Sequence, residues 1–341
     1  MQAYRIHAGK NIEGLEIFEA SPRSVEPHEV RVRVGAVSLN YRDLMVAHGA
    51  YPVSTDRPLI PCSDGAGEVL TVGAAVTRFK PGDRVAGAFF TDWIEGEPTP
   101  QKTAASLGAG IDGVLCEEVV LSENALVAIP THFDFVEAAT LPCAAVTAWN
   151  ALFVCGDLKP GASVLLLGTG GVSIWALQLA KAAGLRAIIT SSSDDKLERA
   201  RALGADEIIN YRKTPEWQDA VRQMTGGRGV DLVVEVGGQD TAPRSLAATR
   251  MGGTVAIIGG VSGFGGGLAP GALIFGAARA CGIFVGSRAM FENLNRFVEI
   301  NGIQPVVDRV FPFEQAREAY AHLASGQHFG KIAIRVGDRQ K

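Results

Sequence analysis

Between residues 163 and 173 the chain reads SVLLLGTGGVS, and the stretch that follows, WALQLAKAAG, carries apolar residues at helical spacing. An almost wholly apolar run of this length reads as a strand buried on both faces, which is the situation of a parallel sheet covered by helices. Gly168 permits the tight turn at the strand end, Gly170 permits close approach of another group to the backbone, and the amides of Gly170 to Val172 face outward at a helix N-terminus. Strand, glycine turn and helix in immediate succession constrain this part of the chain to a doubly wound α/β arrangement.

The same alternation continues on either side. Apolar strands are expected at 187–190, 232–236, 254–259 and 282–287 (GIFVGS), with helices at 171–184 and 194–204; the second of these opens on Asp194 and Asp195 and stops at a glycine. Residues 1 to about 125 instead hold short alternating runs, such as 29–35 and 66–72, broken by Pro and Gly, which predict an antiparallel, partly barrel-like β domain. A chain of 341 residues exceeds what one hydrophobic core fills, so two domains are expected. The boundaries are placed at 1–126 and 127–287, with 288–341 returning to complete the first domain.

A formal net charge of -4 and the lack of a dense Lys/Arg cluster leave no footprint for nucleic acid. The N-terminal residues MQAYRIHAGK lack a basic stretch followed by an apolar run, and no membrane span is expected, so a cytoplasmic location is the expectation. Five cysteines without a C-x-x-C pair suggest buried thiols rather than disulfides or a zinc knuckle, and the six histidines form no metal spacing.

A glycine turn in this setting predicts a bound dinucleotide held by Gly168, Gly170, Gly171 and Val172, with Ser173 small enough for close helix packing. An NAD site presents Asp or Glu to the ribose about twenty residues further on. Here the second strand ends in Thr190-Ser191-Ser192-Ser193, and Lys196 supplies a cation, so Ser191, Ser192 and Lys196 favour the 2′-phosphate of NADPH. In the alternative, Asp194 or Asp195 takes the ribose hydroxyls of NADH and Lys196 is a solvated helix residue.

With VGAVSLNYRDLMVAHGAYP at 34–52, IPCSDGAGEVLTVG at 60–73, FKPGDRVAG at 79–87, LPCAAVTAWNAL at 141–152, the GTGGVS turn, KLERARALGAD at 196–206 and GKIAI at 330–334, the chain resembles the medium-chain dehydrogenase/reductase superfamily, in its zinc-independent quinone oxidoreductase and enone reductase branch. The resemblance covers nearly the whole chain. It implies a GroES-like, mostly antiparallel β-barrel catalytic domain beside the Rossmann domain. It also implies that Tyr211 joins Lys196 at the 2′-phosphate, that Thr147 lies along the nicotinamide half of the cofactor with Gly330 and Lys331 beside it, and that a homodimer forms through the GIFVGS edge.

Zinc-dependent relatives place catalytic ligands where this chain resembles them at Asn40, Ser63 and Cys143; of the three only Cys143 is a good ligand, so no metal is expected. A rearranged site of Cys62, Cys143 and Asp64 or His48 stays open as an alternative. Without a Lewis acid, hydride delivery to a quinone or an α,β-unsaturated carbonyl is favoured, because hydrogen bonds can stabilise the resulting enolate or phenolate. Asn40, Tyr41 and Tyr51 are the candidate donors, Tyr also as a proton relay. Asp43 is expected to orient its loop and Cys143 to pack. Two alternatives remain: an NADP-dependent alcohol or aldehyde dehydrogenase, and a non-catalytic NADPH-binding protein.

Overall fold

A computed structural model describes residues 1–52 and 57–337. The chain divides into two compact units, Met1–Val146 with Gly286–Lys341, and Thr147–Val285. The last four residues of the expected C-terminal return, 338–341, lie outside the described residues.

The first unit is built on a seven-stranded sheet whose longest member is Glu29–Leu39. Valines at alternate positions, Val30, Val32 and Val34, face the core while Glu29, Arg31 and Arg33 carry the ion pairs of the outer face. Asp64–Val72 pairs with this long strand antiparallel from Val30 to Ser38, while Glu118–Ser122 pairs antiparallel with its first residues (29–33) and Lys331–Arg335 with its last (36–39); Val307–Pro312 then adds in parallel to Lys331–Arg335. The register sets Ile332 opposite Leu39, which brings the start of the C-terminal strand against the end of the long one. Ile332, Ile334, Tyr320 and Phe313 share one core with Val30, Val37 and Leu39.

The second unit holds a six-stranded sheet in the order Glu207–Asn210, Arg186–Ser191, Ser163–Leu166, Val230–Glu235, Thr249–Ile257, Arg279–Gly282, every pair parallel. This is the order of a Rossmann fold, with its reversal between Ser163–Leu166 and Val230–Glu235. Strand residues Val164, Leu165, Leu166, Ala187, Ile188 and Ile189 are completely buried, as expected for strands covered on both faces.

Two expectations shift. The first unit extends past residue 126 to Val146, because the helix Phe135–Ala138 packs on Glu29–Leu39 and Asp64–Val72 and the Cys143 N–H donates to Asp64 Oδ2 (3.2 Å). The helical run Phe135–Cys155 is long and apolar enough to cross a membrane, but most of it is buried within the fold, as in a core helix. Further along, the last sheet strand is Arg279–Gly282; residues 283–287 of GIFVGS form no strand, the last bond to Thr249–Ile257 being Ile283 N–H to Ile257 O before Val285 turns at φ 55°.

Candidate active site

In the second unit, Ser163–Leu166 runs into the turn and the helix Gly171–Ala182. Gly168 sits at φ +72° with open space where a side chain would project, and its N–H donates to Thr190 Oγ1 (3.2 Å), tying the turn to the neighbouring strand end. Ser173 is buried and donates to Leu167 O (2.6 Å), drawing the helix start onto the strand without a third glycine. No side chain caps this helix, so the amides of Gly171 and Val172 remain available to an anion. A bound dinucleotide would place its pyrophosphate there, and the residues fit it.

At the end of the second strand Ser191 O accepts from Tyr211 N–H (3.0 Å), so Ser191 and Tyr211 adjoin, and the Tyr211 side chain is left well exposed. Ser193 caps the helix Asp194–Ala202 by accepting from the Lys196 N–H (3.4 Å), which sets Lys196 in its first turn, one step from Ser191 and Ser192. The Asp194 carboxylate is engaged by Lys213 Nζ (2.5 Å) and Asn210 Nδ2 (2.7 Å), and those bonds hold its pKa below the usual value. Thr147, at the start of the unit, is buried.

The first unit carries a dense polar cluster where the helix Tyr41–Ala47 leaves the long strand. Asn40 N–H donates to Asp43 Oδ2 (2.7 Å), so Asp43 orients the loop at the helix start. Lys331, only 3% exposed, donates from Nζ to Asn40 Oδ1 (2.6 Å) and Leu39 O (2.6 Å), and lies 3.8 Å from Asp64 Oδ2. Asp64 in turn accepts from Ser63 Oγ–H (2.6 Å) as well as from Cys143 N–H. Asn40 Nδ2 is buried and has no partner among the described residues.

Of the candidate donors, Asn40 belongs to this cluster. Tyr51 packs on the core beneath the Arg42 guanidinium (5.2 Å to the ring centroid), and burial raises its hydroxyl pKa. Tyr41 is 45% exposed at the helix start. Gly330, at φ +80°, makes the turn that delivers Lys331 to the strand. The sequence offers Asp64 only as an alternative metal ligand, and its role as counter-charge to Lys331 is not legible there; the one signal is the polar pair Ser63-Asp64 inside an otherwise apolar and glycine-rich run.

The donors do not suit a zinc ion. Asn40 Oδ1 accepts from an ammonium and the Ser63 hydroxyl donates to Asp64, so of the three positions only Cys143 is of a type that ligates zinc. Nor does the rearranged set form: Cys62 Sγ lies 3.3 Å from the Tyr320 hydroxyl, and among the described residues no three His, Cys, Asp or Glu side chains gather as metal ligands.

A parallel Rossmann sheet with an anion-ready glycine turn, joined in sequence to a GroES-like unit, defines an NAD(P)-dependent oxidoreductase. Residues 26–131 match the alcohol dehydrogenase GroES-like domain and residues 171–299 the zinc-binding dehydrogenase family. A zinc-type alcohol dehydrogenase-like protein of Schizosaccharomyces pombe is 46% identical over 92% of this chain and 93% of its own, and a quinone oxidoreductase of Pseudomonas aeruginosa is 31% identical over 94% and 95%. Among solved structures, an NAD-dependent alcohol dehydrogenase superposes with TM-score 0.89 at 35% identity, covering 99% of this chain and 100% of that one. The crotonyl-CoA carboxylase/reductase AntE with NADP superposes with TM-score 0.88 at 26% identity, covering 100% and 95%. The chain belongs to the medium-chain dehydrogenase/reductase superfamily.

Proposed function

We propose that this protein is an NADPH-dependent reductase that delivers a hydride to a quinone or an α,β-unsaturated carbonyl without zinc. The observation that carries the reading is the buried, unpartnered Nδ2 of Asn40, an amide donor standing where zinc-dependent relatives carry a ligand. Bound NADPH supplies the hydride. As it reaches the β-carbon, negative charge moves onto the carbonyl oxygen, and the Asn40 Nδ2–H donates to that oxygen. In this reading Tyr51 passes a proton to the enolate or phenolate, completing reduction of the double bond or the quinone.

Selection of NADPH rests on Ser191, Ser192, Lys196 and Tyr211. It is supported by Asp194, whose carboxylate is bonded to Lys213 and Asn210 rather than offered to a ribose. Gly168, Gly170, Gly171 and Val172 hold the pyrophosphate, and Thr147 and Gly330 complete the cofactor contacts in this reading. The Lys331 ammonium, expected from the resemblance to lie beside the cofactor, is engaged by Leu39 O and Asn40 Oδ1 instead. The NADP-bound reductase neighbour supports the same cofactor and acceptor class.

A second reading, alcohol or aldehyde dehydrogenation, is favoured by the alcohol dehydrogenase relatives. NADPH consumption with quinones and 2-alkenals, compared with alcohol-driven reduction of NADP⁺ and NAD⁺, separates the two. The first reading expects turnover only in the reductive assays with conjugated acceptors; alcohol oxidation that chelators abolish contradicts it.

We also propose a homodimer formed through the second unit. Arg279–Gly282 is an edge strand with exposed residues, and Phe264, Ile274, Phe275 and Phe284 are exposed in the same unit. Sedimentation of the purified protein at twice the monomer mass is the expected result.

A further inference from the structure

The geometry points to Lys331 as a positioning residue that acts through Asn40. This inference rests on the reading of Asn40 as the oxyanion donor, and it gives Lys331 a role other than holding the cofactor.

An ammonium can only donate, so the 2.6 Å contact from Lys331 Nζ fixes which end of the Asn40 amide faces it: Oδ1 points at Lys331 and Nδ2 points away. The Nδ2 hydrogens are thereby presented as buried donors with no partner among the described residues. Without the cation, rotation of the amide by half a turn would offer an acceptor to the developing oxyanion. The same contact polarises the amide, because a carbonyl oxygen that accepts from a cation makes its own N–H a stronger donor.

The placement of the cation is over-determined. Lys331 is 3% exposed and Asp64 completely buried; Leu39 O and Asn40 Oδ1 accept from the ammonium, and Asp64 Oδ2 lies 3.8 Å away as counter-charge. Asp64 is held from its other sides by Ser63 Oγ–H and Cys143 N–H. Asn40, Ser63 and Cys143, the three positions that resemble zinc ligands, are thus all bonded to Lys331 or to its counter-ion. A fixed, desolvated positive charge sits among them and serves the donor as a metal would serve a carbonyl, by orientation and polarisation.

The test is a double-mutant cycle on the full-length protein, with NADPH and a 2-alkenal or quinone as substrates and NADPH affinity measured separately by fluorescence titration. Lys331→Met is expected to lower kcat by roughly ten- to a hundredfold while the NADPH Kd changes less than about twofold, with Lys331→Arg recovering part of the loss. In an Asn40→Ala background Lys331→Met is expected to cost nothing further. If the Met variant does not fold, Lys331→Gln enters the same cycle. Additive losses, or weaker NADPH binding at unchanged kcat, overturn the inference while leaving the Asn40 donor in place. A kcat unaffected by Asn40→Ala overturns the donor reading, and this inference with it.

Discussion

Lys331 donates to Asn40 across 291 positions of sequence, Nζ to Oδ1 at 2.6 Å, and leaves the other end of the amide buried and, among the described residues, unpartnered. A buried donor without a partner costs stability in the free protein and is recovered when a substrate oxygen accepts from it. Asn40→Ala is therefore expected to lower kcat by about 10² or more with little change in NADPH affinity. Steady-state kinetics beside a binding titration check this; equal losses in both would place Asn40 at the cofactor instead.

Cofactor choice turns on the first turn of the helix Asp194–Ala202. Lys196→Ala is expected to weaken NADPH binding by about ten- to a hundredfold, the size of one lost charge-assisted hydrogen bond, and to leave NADH binding unchanged. Titration of both nucleotides against both proteins decides it, and an unchanged NADPH to NADH ratio contradicts the assignment.

Asp43 is completely buried, and burial raises its pKa to about 6 against the pull of Arg42, the Asn40 amide and Lys331. Its folded pKa lies above the unfolded value, so the folded state holds more protons between about pH 4 and 6. The contribution of Asp43 to stability falls as pH rises through that window, by about 3 kcal/mol in all. Comparing the Tm of the wild type with that of Asp43→Asn across pH 4 to 8 isolates this group. The wild type is expected to lose stability relative to the variant between pH 4 and 6 and to run parallel above it; parallel curves throughout would contradict the account.

Asp231 has the opposite sign. Burial alone would raise its pKa, but Arg228, Ser163 and Arg250 outweigh it and hold the carboxyl well below its usual range. Its contribution is present above the unfolded pKa and lost as pH falls below it. The carboxylate bonds Ser163 N–H (2.8 Å), Ser163 Oγ (2.9 Å), Arg228 Nη2 (2.7 Å) and Arg250 Nε (2.6 Å), joining three strand ends of the second unit. Asp231→Ala is expected to destabilise by about 3 kcal/mol, read from urea unfolding at pH 7.

The Rossmann unit was legible in the sequence because its strands are buried on both faces and its turns need glycine; SVLLLGTGGVS and the later apolar runs lie within a few residues of the observed strands. The division near Val146 was not, because the run Phe135–Cys155 is predominantly apolar on both sides of it and gives no sign of which unit claims it. Asn40 could be named from its segment, whereas its orientation depends on the register that sets Ile332 opposite Leu39, a long-range pairing that local pattern does not encode. Tyr41 and Asn40 are neighbours in sequence, yet the helix start turns one outward and keeps the other beside the buried cation.

The central claim is that a fixed ammonium and an amide do here what zinc does in relatives. The most direct measurement is NADPH-dependent reduction of a quinone and a 2-alkenal by enzyme whose metal content is determined before and after exhaustive chelation. The account predicts full turnover at a zinc content far below one per chain. Activity that disappears on chelation and returns with stoichiometric zinc would contradict it.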